Sequence, residues 1–273
     1  MTREDQEALM AAIEPMQQFM VRKVVDLPPV SVPGWGPLDL SITNSVLFML
    51  ISAGLIAAFF LFSARRAVVP GRSQALAEML YGMVDGALTS PIMGERGRAF
   101  LPFVFTLFLM IATLNLIGLA PGGFAVTSQL AVTAALAAMT ITTVIVVGFA
   151  RNGLGFFKLF WPSGMHPGMA VPMVLIEFIS FAVRPLTLAM RLFGNMLGGH
   201  VVAYMFASFV IGLGLFGLHG GLASLGLLGS AVSFAMIVAL TALEFVVAFL
   251  QAFVFAALTC VYLNEVVNLD HGH

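Results

Sequence analysis

The sequence predicts an all-α polytopic membrane protein, and three observations carry that prediction. Hydrophobic residues make up 60% of the 273-residue chain and charged residues only 9%, against about 25% charged in soluble domains. From Ala99 to Ala150 there are 52 residues without one Asp, Glu, Lys or Arg. Between Leu159 and Asn264 only four residues carry a formal charge. A soluble globule so poor in charge would have no polar skin, so the bilayer is the expected solvent. The net charge of −1 predicts no polyanionic partner, and hence no nucleic acid. The lone cysteine, Cys260, can form neither an internal disulfide nor a CxxC metal site and reads as a small buried hydrophobe.

The elements follow as one membrane domain over residues 1–273. Residues 1–40 form an N-terminal extramembrane segment, in which 4–24 read as a short amphipathic helix and Pro28, Pro29, Pro33 and Pro37 punctuate a linker. Acids and bases mix in residues 1–30, unlike a cleaved leader, so the first span is expected to act as its own insertion signal. That span covers 41–63 and ends at Arg65-Arg66. Residues 72–95 combine charge with moderate hydrophobicity and predict a helix lying on the membrane surface. The uncharged run makes a transmembrane hairpin over 99–150, with Gly118, Pro121, Gly122 and Gly123 at its turn.

Two segments follow, about 168–215 and 222–264, divided by a stretch with seven glycines at 212–229. Each would be about 60 Å long as one helix, twice the hydrocarbon thickness of about 30 Å. They are therefore either broken into two spans each or strongly tilted, and periodicity alone leaves both open. Lys and Arg set the orientation. With the N-terminus outside, the inner loops receive Arg65, Arg66, Arg72, Arg96, Arg98, Arg151 and Lys158, seven bases against three outside (Arg3, Arg22, Lys23). That predicts a cytoplasmic C-terminus if each long segment crosses once. No internal repeat is visible, which argues against a duplicated transporter architecture.

The chemistry concentrates in "RPLTLAMRLFGNMLGGH", Arg184–His200, and its surroundings. Positions seven apart on a helix differ by about 20°, so Glu177, Arg184, Arg191 and Asn195 form one stripe, with Ser180 and Thr187 beside it. His200 points about 180° away from Arg191 by the same periodicity. In the last segment Glu244 and Gln251 share a face, with Tyr262 nearly in line. An antiparallel packing of the two segments would bring Glu244 near His200.

Ionisable groups at bilayer depth face a cavity or a partner and mark ion paths. Glu177 can balance Arg184 through a bridging group, and Asn195 can simply join helices. Arg191 has no acid of its own face nearby, and an uncompensated arginine costs at least about 3 kcal/mol on insertion scales. It therefore implies a counter-charge from outside the chain. Arginine does not release its proton, so it serves as a fixed barrier, whereas His200 and Glu244 can carry protons. Gly194, Gly198 and Gly199 let a helix approach closely, whether from this chain or from another.

"MRLFGNMLGGH" resembles the signature of the a subunit of F-type ATP synthases, the membrane stator beside the rotating c-ring. The resemblance extends to "NLIGLAP" at 115–121 and to "LEFVVAFLQAFVFAALTCVYL" at 243–263. It implies that Arg191 faces the c-ring carboxylate, with Asn195 and Gln251 as polar neighbours. It implies that His200 and Glu244 pair in the half-channel entered from outside. Glu177 matches an acid of the proton path leading to the cytoplasmic side, and Arg184 supports the same stripe. Many bacterial relatives carry Glu first and His second; the order here resembles mitochondrial and alphaproteobacterial forms. Where many bacterial members have an aspartate, "VTSQL" has Ser128 and Gln129, so that helix is not expected to supply a carrier. The family implies two long tilted helices rather than four short spans. It also implies a c-ring, b-type peripheral stalk subunits, the lipid bilayer and translocated H+ as partners, in a bacterial inner membrane or its organellar counterpart.

The expected function is therefore proton translocation through two offset half-channels separated by Arg191, without covalent catalysis by this chain and without a cofactor. No GxxxxGK[ST] loop occurs. The terminal "HGH" is too short to close a metal site, and His166 and His219 read as loop residues. Two other classes compete: a standalone channel or secondary transporter whose Arg184 and Arg191 bind an anion, and a scaffold whose polar residues only join helices.

Overall fold

A computed structural model describes residues 19–26, 30–32, 36–38, 41–64, 71–120, 122–161, 167–218 and 224–269. Six principal helices run in chain order: α1 Asn44–Ser63, α2 Arg72–Val84, α3 Leu101–Leu119, α4 Leu130–Asn152, α5 Pro167–Gly217 and α6 Leu225–Val267. Among the described residues five helices are long and apolar enough to cross a membrane: Asn44–Ser63, Glu95–Leu119, Leu130–Phe160, Pro172–Gly217 and Leu225–Val267. The chain is an all-α polytopic membrane protein. Its outward faces carry large apolar side chains, among them Leu61 and Phe62 of α1, Phe178 and Leu186 of α5, and Phe245 and Leu250 of α6, as a lipid solvent demands.

The two long segments are unbroken helices of 51 and 43 residues. Pro172 and Pro185 lie inside α5 and each removes one helical donor. The helix nevertheless continues through both. α5 and α6 pack against one another along their length, and their ends meet backbone to backbone at the connecting turn. A Cβ on Gly226 would come within 2.6 Å of the Leu213 carbonyl oxygen, so only glycine permits this approach.

The α3–α4 hairpin lies behind that pair. Phe105, Phe108 and Ile111 of α3 share one buried cluster with Val144 of α4, Leu188 and Leu192 of α5, and Phe255, Cys260 and Leu263 of α6. Cys260 is fully buried and unpaired. Two asparagines tie the hairpin to α6. Asn115 Nδ2 donates to the Ala248 carbonyl at 3.0 Å, and Asn152 Nδ2 donates to the Val266 carbonyl at 2.7 Å.

The expected helix over 72–95 is helical from Arg72 to Met93: α2 continues through a π-helical turn, Asp85–Thr89, into Ser90–Met93 with right-handed helical backbone at both junctions. Gly82, Gly86 and Pro91 weaken α-helix propagation there. Ser90 Oγ donates to Asp85 Oδ1 across the wide turn at 2.9 Å, and Gly94, at φ +63°, ends the helix. One expectation needs correction, the helix over residues 4–24. Residues 1–18 lie outside the described set, but Lys23–Val25 form a strand, β1, rather than the end of a helix. It pairs antiparallel with Ile42–Thr43, β4, while Val30–Val32, β2, pairs with Gly36–Leu38, β3, inside the expected linker. β-Branched Val24 and Val25 suit an extended chain. Asn44 fixes the pairing, accepting from Arg22 N at 3.2 Å and donating to the Met20 carbonyl at 3.1 Å. Arg65, Arg66, His166, His219, His271 and His273 lie outside the described residues.

Candidate functional site: two polar clusters with an arginine between them

α5 and α6 are both apolar helices interrupted by polar residues at intervals of seven, and they run antiparallel. Their polar residues therefore meet in register at two places. At the first, His200 of α5 faces Glu244 of α6, with Nε2 3.9 Å from Oε1. Both side chains are largely buried, at 13% and 10% exposure. Gly199 makes the approach possible, because a Cβ there would run into the Glu244 carboxylate. A cavity of about 190 Å³ opens beside the pair, between Asn195, Gly198 and Gly199 on α5 and Leu240, Leu243 and Glu244 on α6. The Phe19 ring stands edge-on to His200 at 6.1 Å between centroids, and the Phe19 carbonyl accepts from Gln129 Nε2 at 2.7 Å. The chain ahead of β1 thus reaches over the His200 side of the bundle.

The second meeting place surrounds Arg184. Nη1 donates to Glu265 Oε2 of α6, and Nη2 lies 3.6 Å from Glu177 Oε1 one stripe position back on α5. No bridging group is needed between Glu177 and Arg184; the extended side chains span the two turns directly. The Tyr262 ring lies 5.0 Å and the Phe181 ring 5.8 Å from Arg184 Cζ, within cation–π range.

Arg191 lies between the clusters. It is seven residues from Arg184 and nine from His200, so about 10 Å and about 14 Å along the helix axis. Its side chain is exposed on the outside of the bundle. Among the described residues it makes no ion pair and no hydrogen bond. Tyr262 is within electrostatic reach of both arginines. Four polar atoms around this region are buried with no hydrogen-bond partner: Asn195 Nδ2, His200 Nε2, Glu244 Oε1 and Gln251 Nε2. Buried polar groups are nearly always satisfied. Four unsatisfied ones on facing helices mark a place for water, an ion or another side chain.

The segment from 46 to 264 matches the family described as ATP synthase A chain. The chain belongs to that family. Similar proteins named ATP synthase subunit a include that of Rhizobium johnstonii, 47% identical over 262 residues, covering 95% of this chain and 99% of that one. Those of Mesorhizobium japonicum and Chelativorans sp. are each 46% identical and again cover 95% of this chain, with 98% and 100% of their own length matched.

Of the seven residues singled out in the sequence, His200 and Glu244 come together, as do Glu177 and Arg184. Asn195 lines the cavity, Gln251 is buried with a free amide, and Arg191 stands apart. The sequence reading missed Glu265, because the survey of intramembrane charge stopped at Asn264, one residue short. Spacing could have found it. Glu244, Gln251, Leu258 and Glu265 follow one another at intervals of seven, and α6 extends through Val267. Asn115 was also missed as a contact. It is fully buried, and it links Thr127 Oγ1, which donates to its Oδ1 at 2.8 Å, to the α6 backbone midway between Glu244 and Gln251.

Proposed function

We propose that this chain is the proton-conducting stator subunit of an F-type ATP synthase, and that Arg191 divides its path into two halves. The observation that carries the reading is an arginine without an ion-pair or hydrogen-bond partner among the described residues, midway between two polar clusters and exposed on the outside of the bundle. On this reading its counter-charge comes from a neighbour. A carboxylate on a rotating c-ring meets that need, one copy after another.

In this reading protons enter from outside along the path of Glu244 and His200, which face each other across the two helices at that end. Their 3.9 Å separation is close enough for one water to bridge, and the unsatisfied atoms and the cavity leave room for it. Asn195 and Gln251 supply neutral polar groups where the path reaches the ring. Arriving opposite Arg191, a protonated ring carboxylate is driven to ionise, because the nearby cation favours the charged form. Its proton leaves past Glu177 and Arg184 toward the cytoplasm. Arg191 keeps its own charge throughout and so cannot pass a proton straight from one half to the other. Each proton yields about 2.3 kcal/mol per 100 mV, so several crossings must be coupled to each ATP.

The fold supports a matching topology: N-terminus outside, α2 along the inner surface, the α3–α4 hairpin as a backing layer, and α5 and α6 steeply inclined. At about 75 Å and about 65 Å each crosses a core of about 30 Å once only if tilted. The membrane is then a bacterial inner membrane, with b-type stalk subunits holding the stator. An anion transporter would need both arginines open to a ligand, and Arg184 is already taken by Glu265 and Glu177. A scaffold has no use for an outward arginine.

Arg191→Gln in the assembled holoenzyme tests the reading. ATP synthesis driven by a proton gradient should fall by a hundredfold or more (about 3 kcal/mol) with the complex intact. Undiminished synthesis would overturn it.

A further inference from the structure

Glu265 has no part in the path described so far, although it accepts a hydrogen bond from Arg184 and pairs with its charge. The Arg184 cluster contains one permanent cation and two carboxylates, and one carboxylate is enough to neutralise it. The geometry is unequal. Arg184 Nη1 makes a hydrogen-bonded ion pair with Glu265, while Nη2 remains 3.6 Å from Glu177 Oε1, beyond hydrogen-bond length. Tyr262 and Phe181 stack against the guanidinium and help hold it on the Glu265 side. All three charged side chains are partly open, at 19% exposure for Arg184, 31% for Glu177 and 32% for Glu265. None of the three is sealed inside the bundle. Tyr262 of α6, and Arg191 one stripe position along α5, are the other ionisable groups near it.

We propose that Glu265 is a positioning residue of the inner half-path: by hydrogen-bonding Arg184 it holds that cation at 3.6 Å from Glu177, an ion pair without a hydrogen bond, and leaves the Glu177 oxygens open to receive and release protons. The proposal rests on the reading that Glu177 conducts protons. Its physical content is competition for one guanidinium. Without Glu265, Arg184 has a single acid within reach, and a shift of under 1 Å closes a charge-assisted bond to it. A carboxylate bonded to arginine is held in its ionised form and is a poor acceptor for a proton in transit. Removing the arginine together with Glu265 frees Glu177 again. The pair therefore makes a prediction that a structural tie does not: losing both partners should be less harmful than losing the acid alone.

The test compares Glu265→Gln, Glu265→Asp, Arg184→Gln/Glu265→Gln and Arg191→Gln in the holoenzyme, in membrane vesicles given an imposed proton gradient. Assembled complex and ATP synthesis are measured in each. Glu265→Gln should assemble normally and slow synthesis about tenfold. Glu265→Asp should recover most of the rate, and the double variant should run at least about threefold faster than Glu265→Gln. A normal rate in Glu265→Gln, or a double variant no better than the single one, overturns the positioning role. If Glu265→Gln fails to assemble, the double variant decides: an assembled, coupled complex supports the competition, and a second failure to assemble makes Glu265 a structural tie and ends the proposal. Arg191→Gln separates the two ideas. If it is harmless the path itself is wrong, whereas if it abolishes synthesis while Glu265→Gln is normal, only the role of Glu265 falls.

Discussion

Arg184 and Arg191 are seven residues apart on one helix, and the chain treats them in opposite ways. Arg184 is surrounded by two carboxylates and two aromatic rings. Arg191 has neither a hydrogen bond nor an ion pair among the described residues, and its side chain points away from the bundle. The cost of placing a guanidinium at bilayer depth is the same for both. For Arg184 the fold supplies the compensation internally. For Arg191 no described residue supplies it, and under the proposed function it comes from a moving partner: a stator arginine with a strong internal mate would have no reason to engage a passing carboxylate.

The sharpest way to break this contrast is to change the chemistry of Arg191 while keeping its charge. Arg191→Lys retains a cation, but a desolvated ammonium can give up its proton where a guanidinium cannot. We expect synthesis to fall by about a hundredfold or more, and proton leak through the assembled complex to rise. Leak is measured as gradient decay in vesicles in the absence of nucleotide. Tight, coupled vesicles with Arg191→Lys would show that charge alone suffices, and that the inability to deprotonate is irrelevant.

Next in size is the cluster on the other side of Arg191. Glu244→Gln keeps the size of the side chain and removes the proposed proton carrier, with an expected loss of about a hundredfold, within the range for a positioned proton-transfer group. Because His200 and Glu244 face each other across 3.9 Å, the exchanged pair His200→Glu/Glu244→His should outperform either single change in ATP synthesis at equal assembly. If the exchange is no better than the worse single variant, the two groups act separately and not as one relay.

This contrast also marks what the sequence could reveal. The spans were legible because their signal is composition: 52 uncharged residues in a row leave few alternatives. The stripe of Glu177, Arg184 and Arg191 was legible because helical periodicity fixes direction within an element. The meeting of His200 with Glu244 was legible because two antiparallel helices with heptad polar residues have few registers. Contacts that depend on where a helix ends were not. Glu265 sits two residues before the last residue of α6, just past the end at 264 that hydrophobicity gives the segment. The π-helical turn at Asp85–Thr89 was hidden for a related reason, since composition shows a helix over this stretch but not the extra residue in one of its turns, which the Ser90–Asp85 bond spans. Strand β1 depends on a partner, Ile42–Thr43, that local propensity could not name.

A smaller effect should come from Asn115, which positions α6 without lying on the path. Asn115→Leu leaves the Thr127 hydroxyl and the Ala248 carbonyl without the side-chain partner each now has, in a fully buried place. A lost buried bond of this kind costs about 1–3 kcal/mol. We expect a reduced yield of assembled complex and a lower Tm of the detergent-solubilised holoenzyme. The ratio of protons to ATP in the surviving complex should be unchanged. A changed ratio would move Asn115 from the backing layer into the path.

The smallest effect belongs to the turn between α5 and α6, where packing and hydrogen bonding can be separated. Ser230 Oγ donates to the Val210 carbonyl at 2.8 Å, and Gly226 lies against Leu213 nearby. Ser230→Ala removes one interhelical bond to a carbonyl that remains inside a continuous helix and keeps its backbone donor. Interhelical bonds in membranes average about 0.6 kcal/mol, so the Tm should drop by only about 1–2 °C. Gly226→Ala, by contrast, adds a methyl group where backbone already stands at 2.6 Å, and should cost several times more. Equal losses from the two would mean that the hydroxyl, and not the close approach of the backbones, sets the register that brings Glu244 to His200 and Glu265 to Arg184.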